Sequence, residues 1–138
     1  MKSLHSRLRF LLQISALVLA LLMPVFAGDA SAANIGDFKD KFDLATIMPG
    51  ADRLGPEEGS PPSAAAYKGD KLLGYVFLNS AAVNAIGYSG KPIHIVVGVD
   101  TNGLITGARM VKHSEPIVLV GIPVKKVHGF IDKYVGLN

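Results

Sequence analysis

The residues of this 138-residue chain that could do chemistry gather in two short stretches. One is Lys112-His113-Ser114-Glu115-Pro116, in which an imidazole, a hydroxyl and a carboxylate fall at consecutive positions. Together they can donate and accept hydrogen bonds to a polar heterocycle, and the end of a strand is where rigid scaffolds place such groups. A nucleophilic triad fits poorly, because the three groups are chain neighbours and no G-x-S-x-G elbow surrounds Ser114. A turn capped by Ser114 and ended by Pro116 is the plainer reading of the same residues. The other stretch is Ile86-Gly87-Tyr88-Ser89-Gly90-Lys91-Pro92. Its glycines would let backbone N–H groups reach a ligand, and Tyr88 offers a flat face. It reads equally as a loop that feeds a strand. Neither the phosphate-loop spacing nor G-x-G-x-x-G is present. Of four histidines (His5, His94, His113 and His128), no two stand at i, i+4, and no HExxH or similar metal-ligand run appears. His94 reads as a surface or boundary residue of a strand, and His128 as part of an amphipathic helix.

The elements that must position these groups are legible in outline. Ala33 to Leu44 reads as a short helix with Ile35, Phe38 and Phe42 on one side. Met48 to Pro62 holds three glycines and four prolines, which exclude helix and interior strand and suggest an ordered loop or linker. Ala64–Tyr67 and Leu72–Leu78 flank a Gly-containing turn that suits a hairpin. A stronger hairpin follows. Ile93, Ile95, Val97 and Val99 alternate with His94, Val96 and Gly98, which predicts an apolar face on the first set. Asp100-Thr101-Asn102-Gly103 makes the turn, and Leu104 to Val111 returns with Leu104, Thr106, Ala108 and Met110 on one face. Gly107 faces away from those four and leaves room for a backbone or a ligand. Pro123 opens a last helix bearing Val124, Val127, Ile131 and Tyr134 on one side, and Gly136 stops it.

The amino terminus has the parts of an export signal: basic Lys2, Arg7 and Arg9, an apolar run from Phe10 to Phe26, and Ala30-Ser31-Ala32 as an A-x-A cleavage site. A retained membrane anchor is the alternative, but the run falls short of about 20 apolar residues. The formal net charge is +3. Residues 1–32 carry three bases and one acid, leaving 11 bases against 10 acids, or +1, in the remainder. Such scattered charge does not form a nucleic-acid face. Cysteine is absent, so disulfides, thiol nucleophiles and iron–sulfur ligation by this chain are excluded.

Several motifs together resemble the periplasmic FMN-binding domain of NosR/NirI-type proteins. They are Leu73 to Ser80, Ile86 to Ile93, Val97-Gly98-Val99-Asp100 through Gly103 to Ala108, and His113-Ser114-Glu115-Pro116-Ile117. Pro49-Gly50-Ala51-Asp52-Arg53 and Gly121-Ile122-Pro123 add to the likeness, which spans roughly residues 40–137. The flavin domains of Rnf and Nqr complexes are similar more loosely, with Pro-Gly-Leu-Gly where this chain has Pro116-Ile117-Val118-Leu119. The resemblance implies an exported domain of a larger membrane protein tied to expression of, and electron supply to, nitrous oxide reductase. It also implies FMN held through a threonine phosphoester. Thr46, Thr101 and Thr106 are the only threonines and none closes the Ser/Asp-Gly-Ala-Thr motif, so the covalent attachment site is expected outside this chain.

The expectation is therefore an α+β fold, a small antiparallel β-sheet with flanking helices, FMN-binding-domain-like, preceded by a signal peptide. Its parts are a signal at 1–32, an N-terminal helix and Pro/Gly-rich loop at 33–62, and an FMN-binding-like domain at 63–138 that is incomplete at its C-terminus. Gly87, Tyr88, Ser89, His113 and Glu115 are the candidate FMN-binding residues. The module is expected to have no substrate turnover of its own and to work in the periplasm. Its expected partners are the rest of a larger membrane protein and nitrous oxide reductase. A cofactor-free periplasmic interaction domain is the competing reading.

Overall fold

A computed structural model describes residues 33–83 and 85–138, which leaves the signal-peptide reading of residues 1–32 outside the described residues. Five strands form one antiparallel sheet in the order β1-β2-β3-β4-β5, each paired with its neighbour in sequence. They are β1 (Arg53–Glu58), β2 (Ser63–Lys68), β3 (Lys71–Leu78), β4 (His94–Asp100) and β5 (Ile105–Lys112). Short helices lie around it: α1 (Leu44–Ile47), α2 (Asn79–Ala82), α3 (Pro116–Val120) and α4 (Val124–Ile131), with 3-10 turns at Ile35–Lys41 and Asp132–Tyr134. The α+β expectation holds. The single helix expected over 33–44 is instead a 3-10 turn followed by α1, because Asn34 and Asp43 each cap a new start with their side chains.

The stretch read as loop or linker contains β1. Its prolines and glycines are accommodated because β1 is an edge strand, and its register with β2 shifts between Leu54 and Glu57. Gly55 and Pro56 occupy that bulge, where a missing N–H breaks no ladder. A boundary at 62/63 thus runs between two strands of one sheet. Both hairpins are present as expected. Gly69 and Gly103 take φ of 55° and 89° in their turns. The Asp100 carboxylate accepts from Leu104 N at 2.9 Å and Asn102 N at 2.8 Å, which holds its pKa below the usual carboxylate range.

The core lies on one face of the sheet. Ala64, Ala66, Val76, Leu78 and Val96 are buried there beneath Ile35, Phe38, Ile47 and Met48. Full burial of a side chain such as Ile47 stabilises by about 1.5–3 kcal/mol. On β4 the deeper face is therefore His94, Val96 and Gly98, not the Ile95/Val97/Val99 set that the alternation favours. Both faces are apolar, and which one goes deeper is decided by the N-terminal segment. That segment comes very close. Gly98 pairs with Gly107 across β4 and β5, and the backbone of Thr46 and Ile47 sits in the space where their side chains would be. The room foreseen at Gly107 is taken by this backbone. The opposite face of β4 and β5 meets α4, whose His128 Nε2 lies 3.4 Å from the Met110 carbonyl oxygen.

His94 is buried, correcting its reading as a surface or boundary residue. Its ring lies 5.1 Å from that of Phe38, and Nδ1 is 2.7 Å from the Ser80 hydroxyl. Burial, and secondarily the Lys112 charge, lower its pKa from the ordinary 6.5. The unfolded chain then takes up this proton more readily than the folded one, so the contribution to stability is complete above pH 6.5 and is lost as pH falls toward the lowered value. Urea unfolding of the wild type across that range is expected to show declining stability, and His94→Gln to flatten the slope. Equal slopes in the two proteins would contradict the assignment.

Candidate functional site

The two stretches singled out by their chemistry meet in space. Glu115 caps the start of α3, its carbonyl oxygen accepting from Val118 N and Leu119 N, each at 3.1 Å. Its side chain turns back and is only 8 % exposed. There it accepts from Tyr88 N at 3.1 Å, Ser89 N at 3.3 Å and the Ser89 hydroxyl at 2.8 Å. These contacts bridge 26 and 27 positions of sequence. A Cβ at Gly87 would strike the same carboxylate, so glycine is what lets the loop close over it. The loop is also tied to itself. Gly87 N donates to Lys91 O and Gly90 N to Gly87 O, both at 3.0 Å, while an Ile86–Pro92 bridge closes its base.

All five predicted residues are thus in one place, but with different roles in the geometry. The N–H groups of Gly87, Tyr88, Ser89 and Gly90 are satisfied within the protein, contrary to the expectation that this loop offers them to a ligand. Glu115 holds the loop. What the site presents outward is the Tyr88 ring, 95 % exposed, and the half-buried His113. Glu115 N donates to His113 Nδ1 at 3.3 Å. With Nδ1 accepting, the ring hydrogen of the neutral imidazole sits on Nε2 and is available as a donor.

Chemically the arrangement holds an aromatic face and a ring nitrogen donor, the groups a polar heterocycle such as a flavin would call on. The phosphate has no cradle in this loop. The Thr106 hydroxyl donates to Ile47 O at 2.7 Å and is committed to packing. Among the described residues, no group of three or more His, Cys, Asp or Glu could hold a metal.

Hollows also lie away from this loop. A groove of about 460 Å³ over β1–β3 is lined by Gly55, Pro56, Tyr67 and Tyr75, with the Arg53 guanidinium 4.3 Å from the Tyr67 ring centre. A second, of about 300 Å³ and almost wholly apolar, lies between α4 and the sheet. Neither contains a His, Asp or Glu able to do acid–base work apart from Glu58 at the rim of the first. Residues that sequence reading passed over are structural: Asn79 Oδ1 accepts from Ile95 N at 2.7 Å, and Glu57 Oε2 accepts from Ile35 N at 2.9 Å. No periodicity marks such contacts.

No protein-family model matches the chain. Curated proteins do. Over 125 residues, 91 % of this chain, it is 35 % identical to the regulatory protein NosR of Stutzerimonas stutzeri. It is 34 % identical over 109 residues, 79 % of the chain, to the regulatory protein NosR of Pseudomonas aeruginosa. To the protein NirI of Paracoccus denitrificans it is 30 % identical across 99 % of its length. The chain spans 17 %, 15 % and 19 % of those three proteins.

Proposed function

Because this chain carries a segment of the NosR/NirI family, we propose that it is a periplasmic FMN-binding module of a NosR-type regulatory protein for nitrous oxide respiration. The single observation that supports the flavin reading is the Glu115 clamp. It fixes the Gly87–Lys91 loop against the 113–116 segment, with the Tyr88 ring exposed and His113 Nδ1 accepting from Glu115 N. In this reading Tyr88 stacks on the isoalloxazine and His113 donates to its edge. Gly87, Ser89 and Glu115 are positioning residues that hold Tyr88 in place. Bound FMN would supply electron transfer; the protein contributes orientation and exclusion of water on one side. The domain acts without substrate turnover of its own, as part of a larger, membrane-tethered protein that meets nitrous oxide reductase.

One observation favours a second reading. A loop whose N–H groups are internally satisfied is also a suitable rigid surface for a protein partner, with no cofactor.

Titrating FMN into the purified chain separates the two. Saturable quenching of flavin fluorescence is expected, and Tyr88→Ala is expected to weaken binding about three- to tenfold, as loss of one aromatic stack does. Absence of saturable quenching by the folded protein favours the cofactor-free reading.

A further inference from the structure

The segment that follows Glu115 exposes apolar side chains where a soluble surface rarely does. On α3, Ile117 is 64 %, Leu119 66 % and Val120 88 % exposed, and Val124 at the start of α4 is exposed as well. Single exposed apolar residues are ordinary; a run of them on one short element marks a contact surface. Several backbone N–H groups here already have partners. Val118 N and Leu119 N donate to Glu115 O, Gly121 N and Ile122 N to Ile117 O, and Pro116 has no N–H at all. Unsatisfied donors would bar entry into an apolar medium.

The exposed charges that flank this segment in sequence have one sign. Lys125 and Lys126 are exposed directly after it, and Lys112 is exposed just before it. No acid faces it from its own stretch, because Glu115 is buried and turned onto Tyr88 and Ser89, and the next acid is Asp132. An apolar tip flanked by lysines is the combination that enters the headgroup region of an anionic bilayer, with the tip in the acyl boundary and the ammonium groups at the phosphates. We infer that Pro116–Val120, with Lys125 and Lys126, docks this domain onto an anionic lipid surface. The inference is independent of whether the Gly87–Lys91 loop takes FMN.

The chain has no cysteine, so one can be introduced as a reporter. Val120→Cys carrying an environment-sensitive fluorophore is mixed with vesicles of phosphatidylcholine, alone or with an equal part of phosphatidylglycerol. A label at Asp70→Cys, in the β2–β3 turn, serves as the control. The expected result is a blue shift at position 120 with the anionic vesicles only, and none at position 70. Lys125→Glu with Lys126→Glu is expected to weaken it about tenfold or more, and Ile117→Asp with Leu119→Asp to abolish it. Circular dichroism checks that each variant is folded. No shift at position 120 in the folded protein, or the same shift with both vesicle types, would overturn the inference. A concentration-dependent shift without vesicles would assign the patch to a protein contact instead.

Discussion

Glu115→Ala is expected to destabilise the protein by about 3 kcal/mol and to abolish measurable FMN binding. The carboxylate receives three hydrogen bonds while nearly excluded from solvent. Charge-assisted bonds of this kind contribute about 1.5–3 kcal/mol each, but they share two oxygens and the donors are only part-buried, so water recovers some of the loss. Glu115→Gln is the sharper variant because it keeps the size. Its NH₂ must face either Tyr88 N or Ser89 N, and in both orientations a donor meets a donor. A loss of about 1–2 kcal/mol follows. If the carboxylate served only to contact a ligand, Glu115→Gln would leave urea stability unchanged and affect binding alone.

The second large effect concerns the glycine pair under α1. Gly107→Val is expected to cost at least ~3 kcal/mol, at the upper end for overpacking. The added Cβ would overlap the Thr46 carbonyl oxygen and lie 2.7 Å from Ile47 Cα. These are backbone atoms, so no side-chain rotation relieves the clash. The helix must lift, and Ile47 and Met48, both fully buried, would be uncovered. Gly129→Ala is the control. Nothing lies within 4 Å of its added methyl, it sits inside α4, and removing a helical glycine should stabilise by roughly 0.5–1 kcal/mol. Thermal melts of the two variants should therefore move in opposite directions.

How much of this was legible beforehand depended on whether a pattern was local. The β4–β5 hairpin announced itself through alternation and Asp-Thr-Asn-Gly, because both signals act within a few residues. β1 was hidden by Pro56 and its neighbouring glycines, which deny an interior strand but permit a bulged edge. α2 and α3, at four and five residues, are too short for a helical period to show. The choice of core face on β4 came from the N-terminal segment, far away in sequence, and from Gly98, which reads as a gap yet is among the tightest contacts. In the site, the residue types were legible and their division of labour was not. Glu115 looked like a ligand contact, but its partners lie across a turn-rich span that no local rule connects.

The proposed recognition of a flat heterocycle rests on a buried clamp beneath a loop that leaves an aromatic ring exposed.

The central claim is that FMN is held at this clamp, and amide shifts of the ¹⁵N-labelled chain on addition of FMN test it most directly. The account predicts saturable shifts concentrated in Gly87–Lys91 and His113–Glu115, absent in Glu115→Ala. Shifts confined to the Gly55–Tyr75 groove, or none at saturating FMN, would contradict it.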